Sequence, residues 1–230
     1  FGECEEITRT VGESEVLRIT GNPVLAGFTA PKILWLKKNE PELFSSIDKV
    51  VLPKDFIRWR LTSEFFTDVS DASGTSLLDV GARKWSQEML DALEWPLSWL
   101  PEVTESTEAT AKVSQAASES TGLPVGTPVI AGGGDQAAQA VGCGIVREGM
   151  VSATLGTSGV VFAQSDEYRV EPQGKLHAFC HAVPGKWHLM GVMLSAAGSF
   201  QWYKNQLGPE EQESRITVGR TPTTCLPPPP

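Results

Sequence analysis

The stretch Val129-Ile130-Ala131-Gly132-Gly133-Gly134-Asp135-Gln136-Ala137-Ala138 constrains this chain more than any other. Its apolar opening has the length of a buried strand. Three glycines then let the backbone bend sharply and let a second molecule come close. Ala137, Ala138 and Ala140 suit the first turns of a tightly packed helix. Strand, glycine loop and helix in that order predict an α/β sheet. Ligands gather at the carboxyl ends of strands in such sheets, which puts Asp135 at the mouth of a cleft. A second glycine turn, Leu155-Gly156-Thr157-Ser158-Gly159, lies between the β-like runs 151–155 and 160–163. Together they suggest a general base facing a cradle for phosphate.

Each motif has a plainer reading. Asp135 can serve as a cap for the helix beside it, and Gly156 to Gly159 can be a simple hairpin turn. Gly132-x-Gly134-x-x-Ala137 also fits a loose dinucleotide fingerprint, but the acid expected roughly 20 residues on is misplaced, since Glu148 precedes the next strand. His177, Cys180, His181 and His188 fit no standard zinc pattern, and no metal ligands are assigned. Glu64, Asp68 and Asp71 read as a solvated loop, and Trp35, Trp59, Trp85 and Trp202 read as core. No Ser/His/Asp or Cys/His nucleophile arrangement stands out.

A net charge of −9 argues against nucleic acid or an anionic membrane as partner, and Lys37-Lys38 is the largest basic run in view. A hydrophobic fraction of 40% with 7 tryptophans is ample for a core. No apolar run approaches a membrane span and no secretory leader is visible. The cysteines Cys4, Cys143, Cys180 and Cys225 form no CxxC and read as reduced thiols, which places the protein in the cytoplasm.

Along the chain, one helix is expected from Glu3 to Val16, a turn at Thr20 to Pro23, and a helix opened by Pro31. Short strands are expected at 50–52 and 77–80, and loop from Thr67 to Thr75. Ser86 and Ser114 are expected N-caps, with Gly122 closing the second of those helices. After a boundary near Arg147-Glu148-Gly149 the sequence turns β-rich, then helical from Ser195 to Leu207. From about Ser214 the apolar period is lost, and four prolines end the chain.

These motifs resemble the bacterial xylulokinases among the FGGY carbohydrate kinases. The matching stretches are Gly27 to Leu36, Leu52-Pro53-Lys54-Asp55, Ser70-Asp71-Ala72-Ser73-Gly74-Thr75, Gly132 to Ala138, Leu155 to Gly159, His177 to His181 and Trp187-His188-Leu189-Met190. They run from about Cys4 to Leu207. The resemblance implies an actin/hexokinase-type (ribonuclease H-like) ATPase fold with two domains, both incomplete. Residues 1–148 would be the second part of the sugar-binding domain, 149–213 the start of the ATP-binding domain, and 214–230 an out-of-frame or disordered tail. It implies transfer of the ATP γ-phosphate, with Mg²⁺, to the 5-hydroxyl of D-xylulose. Asp135 would be the base and would bind the sugar with Gln136, which stands where the family often has Asn. Gly156, Thr157 and Ser158 would bind the ATP phosphates.

The family's opening Asp-Leu-Gly-Thr-Ser loop, its Met-His-Gly segment and its later adenosine segment are not in this sequence. With Phe1 in place of Met, that suggests the middle of a longer enzyme, inactive by itself. Residues 219–226 fit a shifted reading frame of the family's next helix start, so a frameshift before Gly219 is expected. The competing readings are a non-catalytic interaction module, with a homodimer as its assembly, and an FGGY kinase for another sugar or polyol.

Overall fold

The computed structural model describes residues 1–207, so the tail and its frameshift lie outside the described residues. The chain divides into two units. Residues 1–152 with 162–191 form the first; residues 153–161 and the chain from 192 onward form the second.

The first unit begins with helices Gly2–Val11 and Glu13–Thr20. The single expected run is broken by Gly12, whose φ of 96° is one that L side chains avoid. Cys4 and Ile7, then Val16 and Ile19, fall at helical spacing on the buried faces. They pack with Ile33 and Leu34 of helix Thr29–Asn39, with Met89, Leu90 and Leu93 of helix Gln87–Leu93, and with Leu77 and Trp95. Ser86 caps that last helix, its Oγ accepting the Met89 N–H at 3.1 Å. Ser114 Oγ accepts the Ala117 N–H to cap helix Gln115–Thr121, and Gly122 closes it in the left-handed region.

Two expectations are corrected here. Residues 50–52 form no strand: the Val50 N–H bonds the Trp99 carbonyl at 2.8 Å, and Pro53 then opens helix Pro53–Thr62. The stretch expected as loop is ordered instead. Strand Phe66–Asp68 pairs in parallel with Glu102–Thr104, a short helix covers Val69–Ala72, and a 3₁₀ turn covers Ser73–Thr75. The reason is Asp68, whose carboxylate caps the Ser70 and Asp71 N–H groups.

Strand Pro128–Ile130 pairs antiparallel with Ala109–Lys112, and the glycine loop delivers the chain into helix Asp135–Gly142. The later strands Val151–Leu155, Gly159–Ser165, Trp187–Met193 and His177–Cys180 hydrogen-bond in that order. His188 stands opposite Phe179 in the antiparallel register of the last two. Trp35 and Trp202 are not core: they are 48% and 60% exposed. Trp35 lies off the buried stripe of its helix, and helix Ala197–Leu207 buries none of its residues. No helix among the described residues is long and apolar enough to cross a membrane.

Gly21 ends the second helix at φ 69°, where an added Cβ would stand 2.9 Å from the Ala178 Cβ and carbonyl oxygen and 3.0 Å from the Tyr168 hydroxyl. Gly21→Ala combines left-handed strain with a clash against backbone. It is expected to cost about 2–4 kcal/mol, read as a lower urea midpoint at unchanged slope.

Candidate active site

Asp135 is the first residue of its helix, and Gly134 is the N-cap. The Asp135 carboxylate does not cap from outside the helix. Its Oδ1 accepts the Gln136 N–H at 2.7 Å, and the side chain sits in the first turn, where the helix dipole favours a negative charge. The residue is exposed, and Gln136 is half-buried. Both line a cleft of about 160 Å³ together with Ser70, Asp71, Phe179, His188 and Met190.

A charged cluster adjoins the cleft through Asp71, which lines it. Lys54 Nζ is 2.5 Å from Asp55 Oδ1, 2.8 Å from Asp68 Oδ1 and 3.9 Å from Asp71 Oδ2. Burial works against the Lys54 charge, but Asp68 and Asp55 outweigh it and hold its pKa above the ordinary value. Asp68 is fully buried, which corrects the expectation of a solvated loop; Glu64, by contrast, is exposed. Asp71 is half-buried, and burial together with the neighbouring carboxylates of Asp68, Asp55 and Asp135 pushes its pKa up to about 6, against the pull of Lys54.

That shift has a consequence for stability. The native value lies above the ordinary 3.8, so the native state penalises ionisation; the penalty is absent below pH 3.8 and complete above pH 6. Asp71→Asn is therefore expected to be more stable than the parent at pH 8, by about 1–2 kcal/mol after allowing for partial solvent screening, with the gap closing toward pH 4. Urea unfolding at pH 8 and pH 4 measures it.

His188 is 3% exposed and stacks on Phe162 with ring centroids 4.1 Å apart. Burial, then the neighbouring His181 and His177, lowers its pKa to about 3, so the ring is neutral. His181 Nε2 lies 3.1 Å from the Ile145 carbonyl oxygen, and His177 Nδ1 lies 2.9 Å from Asn22 Oδ1. His177 and His181 thus have hydrogen-bonding partners, and His188 is held by ring packing. Among the described residues no group of three or more His, Cys, Asp or Glu is arranged to hold a metal.

In the second unit Gly156, Thr157 and Ser158 are exposed. The turn is closed by the Gly156 N–H on the Ser158 carbonyl at 2.8 Å, and Ser158 Oγ donates to the Leu194 carbonyl at 3.0 Å. The Thr157 carbonyl accepts from the N–H groups of Ala196 and Gly198, so the turn and the start of the last helix are tied together.

The first unit thus brings Asp135, Gln136 and Asp71 to one cleft. Sequence reasoning assigned no role to Lys54, Ser70, Ser106 or His188. Lys54 and Asp55 stand in the first turn of a helix opened by Pro53 and read locally as an ordinary charged helix start. Ser106 Oγ donates to Asp68 Oδ2 at 2.7 Å, a contact that nothing local in the sequence shows.

Residues 1–142 match the N-terminal domain of the FGGY family of carbohydrate kinases. The chain is 48% identical to the xylulose kinase of Escherichia coli over 200 residues, covering 87% of this chain and 41% of that protein. It is 42% identical to the xylulose kinase of Klebsiella pneumoniae, over 95% of this chain and 45% of the relative. Among solved structures, the xylulose kinase of Rhodospirillum rubrum superposes with a TM-score of 0.87 at 28% identity, over 94% of this chain and 44% of its own. The chain spans less than half the length of these relatives, with an actin/hexokinase-like fold in common. With a domain match that includes the glycine loop and Asp135, the chain belongs to the FGGY family of carbohydrate kinases.

Proposed function

We propose that this chain is part of a cytoplasmic kinase that transfers the γ-phosphoryl group of ATP to the 5-hydroxyl of D-xylulose, giving xylulose 5-phosphate and ADP. The observation that carries the reading is the placement of Asp135 on the cleft wall beside Gln136 and Asp71, in a chain 48% identical to a xylulose kinase. Asp135 accepts the proton of the attacking hydroxyl while that oxygen bonds to phosphorus and ADP departs. Gln136 offers an amide to the sugar hydroxyls as donor and acceptor. The exposed turn at Gly156, Thr157 and Ser158 offers the Thr157 hydroxyl and the Thr157 and Ser158 backbone N–H groups to the ATP phosphates, while the Gly156 N–H and the Ser158 hydroxyl hold the turn's shape. Mg²⁺ would enter on the nucleotide's phosphates and neutralise their charge.

The test is ADP release by the complete kinase carrying this sequence, with D-xylulose, D-ribulose and glycerol in parallel, and phosphorus NMR of the product. Faster turnover of D-xylulose than of the other two, with phosphate on the 5-oxygen, is the expected result. A preference for glycerol or ribulose would reassign the substrate, and failure to phosphorylate any sugar or polyol would remove the kinase reading.

A further inference from the structure

We propose that Lys54, Asp68 and Ser70 form a positioning relay that fixes the backbone of the glycine loop and thereby aims Asp135. The proposal rests on the kinase reading for its catalytic consequence, not for its geometry. Ser70 Oγ does two things at once: it donates its one proton to Asp68 Oδ2, and it accepts the Gly134 N–H at 3.0 Å. Gly134 is the residue directly before Asp135 and the N-cap of its helix. At the loop's other end Lys54 Nζ donates to the Ala131 carbonyl at 3.3 Å. The two ends are joined by the 2.8 Å pair between Lys54 and Asp68. Between them the Gly132 N–H bonds the Ser106 carbonyl at 3.1 Å, while Ser106 Oγ donates to Asp68 Oδ2 at 2.7 Å.

The polarity of the relay follows from the charge on Asp68. An ionised carboxylate only accepts, so the Ser70 hydroxyl must point its proton at Asp68 and turn a lone pair to Gly134. A neutral amide at 68 could present its NH₂ to Ser70 and reverse that direction. Keeping an ion pair this deep costs desolvation that a cap for a four-residue helix does not require, since a cap can sit at the surface. Gly133 lies beside the same hydroxyl: a Cβ there would stand in ordinary van der Waals contact, 3.4 Å from both Ser70 Oγ and the Ala182 Cβ. An angular error at Gly134 passes directly to the carboxylate that follows, and a misplacement of about 1 Å can cost on the order of 100-fold in rate.

The test compares Ser70→Ala, Ser70→Thr and the parent in the complete kinase, by turnover and by amide hydrogen exchange. Ser70→Ala is expected to lower kcat at least 10-fold, with KM for ATP within threefold of the parent. It should also speed exchange in the segment containing Gly134 at least 10-fold while leaving helix Gly2–Val11 unchanged. Ser70→Thr, which keeps the hydroxyl, is expected to recover most of both. Asp68→Asn serves as a second variant and should show the same local exchange. Parent-like exchange around Gly134 in Ser70→Ala overturns the relay, whether or not the parent is a sugar kinase. A uniform rise in exchange throughout the first unit, with no rescue by threonine, also overturns it and leaves Ser70 a packing residue. If the parent phosphorylates no sugar or polyol but the local exchange pattern holds, the kinase reading falls and the relay stands.

Discussion

Asp135→Ala in the complete kinase is expected to lower kcat for D-xylulose by about 10²–10⁴-fold, the usual contribution of a positioned general base. The fold should tolerate the change. Asp135 is exposed, its carboxylate bonds a neighbouring backbone N–H in the first turn, and the cap is Gly134. Alanine is a good helix former there, and the lost charge–dipole contact costs about 0.3–1 kcal/mol. ATP affinity is expected to stay within a few-fold, because the alanine removes no group assigned to the nucleotide. Asp135→Asn separates the roles further. It keeps the shape and much of the hydrogen bonding to sugar but cannot accept a proton from the hydroxyl, so its kcat should fall nearly as far while sugar KM changes little. Parent-like turnover in either variant would take the proton transfer away from Asp135.

How much of this could be read from the residues alone depends on how local the cause was. The order of elements from Pro128 to Gly142 was legible because strand, glycines and small-residue helix follow one another without a gap, but the strand expected to be buried is not: Ile130 is 55% exposed. Ser86, Ser114 and Gly122 were legible for the same reason: a cap acts within one turn. The segment around Asp68 was not. Its polar composition, Thr67 to Thr75, looks solvated, but the Asp68 carboxylate at its heart is paired with Lys54 and Ser106, which lie outside that stretch. A charge is buried when its partner arrives from elsewhere, and no window of a dozen residues contains that partner. Trp35 failed in the opposite direction. An apolar neighbourhood in sequence is not a buried face, since helix Thr29–Asn39 buries Ile33 and Leu34 and leaves the next residue out. Asp135 and Gln136 stand out in the sequence because a glycine loop announces them; Asp71 and His188 reach the same cleft from segments with no such marker.

Acid should unfold this protein earlier than its carboxylates alone would dictate, and His188 is the reason. Its native pKa is about 3 against an ordinary 6.5, because the ring is buried against Phe162 with His181 and His177 nearby. A depressed histidine stabilises the native state fully above pH 6.5; that contribution is lost as pH falls toward 3, because the unfolded chain takes up a proton the native one refuses. The loss from this one ring is about 2 kcal/mol at pH 5 and about 3 kcal/mol at pH 4, from roughly 1.36 kcal/mol per pH unit. Burial lowers His181 and His177 as well, so they act in the same direction. Asp71 acts oppositely, since its penalty is relieved between pH 6 and 3.8. His188→Phe isolates the effect: phenylalanine keeps the stacking on Phe162 and removes a buried Nδ1 that has no hydrogen-bond partner among the described residues. Stability of the variant at pH 7.5 is expected within about 1.5 kcal/mol of the parent, as for other swaps that conserve volume. Between pH 6.5 and 4 its unfolding free energy should fall less steeply by about one proton's worth, roughly 1.36 kcal/mol per pH unit. Urea titrations followed by tryptophan fluorescence at half-unit pH steps measure both slopes. Parallel slopes for parent and variant would mean that His188 is protonated in the native state, and that the buried cluster around Phe162 is open to water.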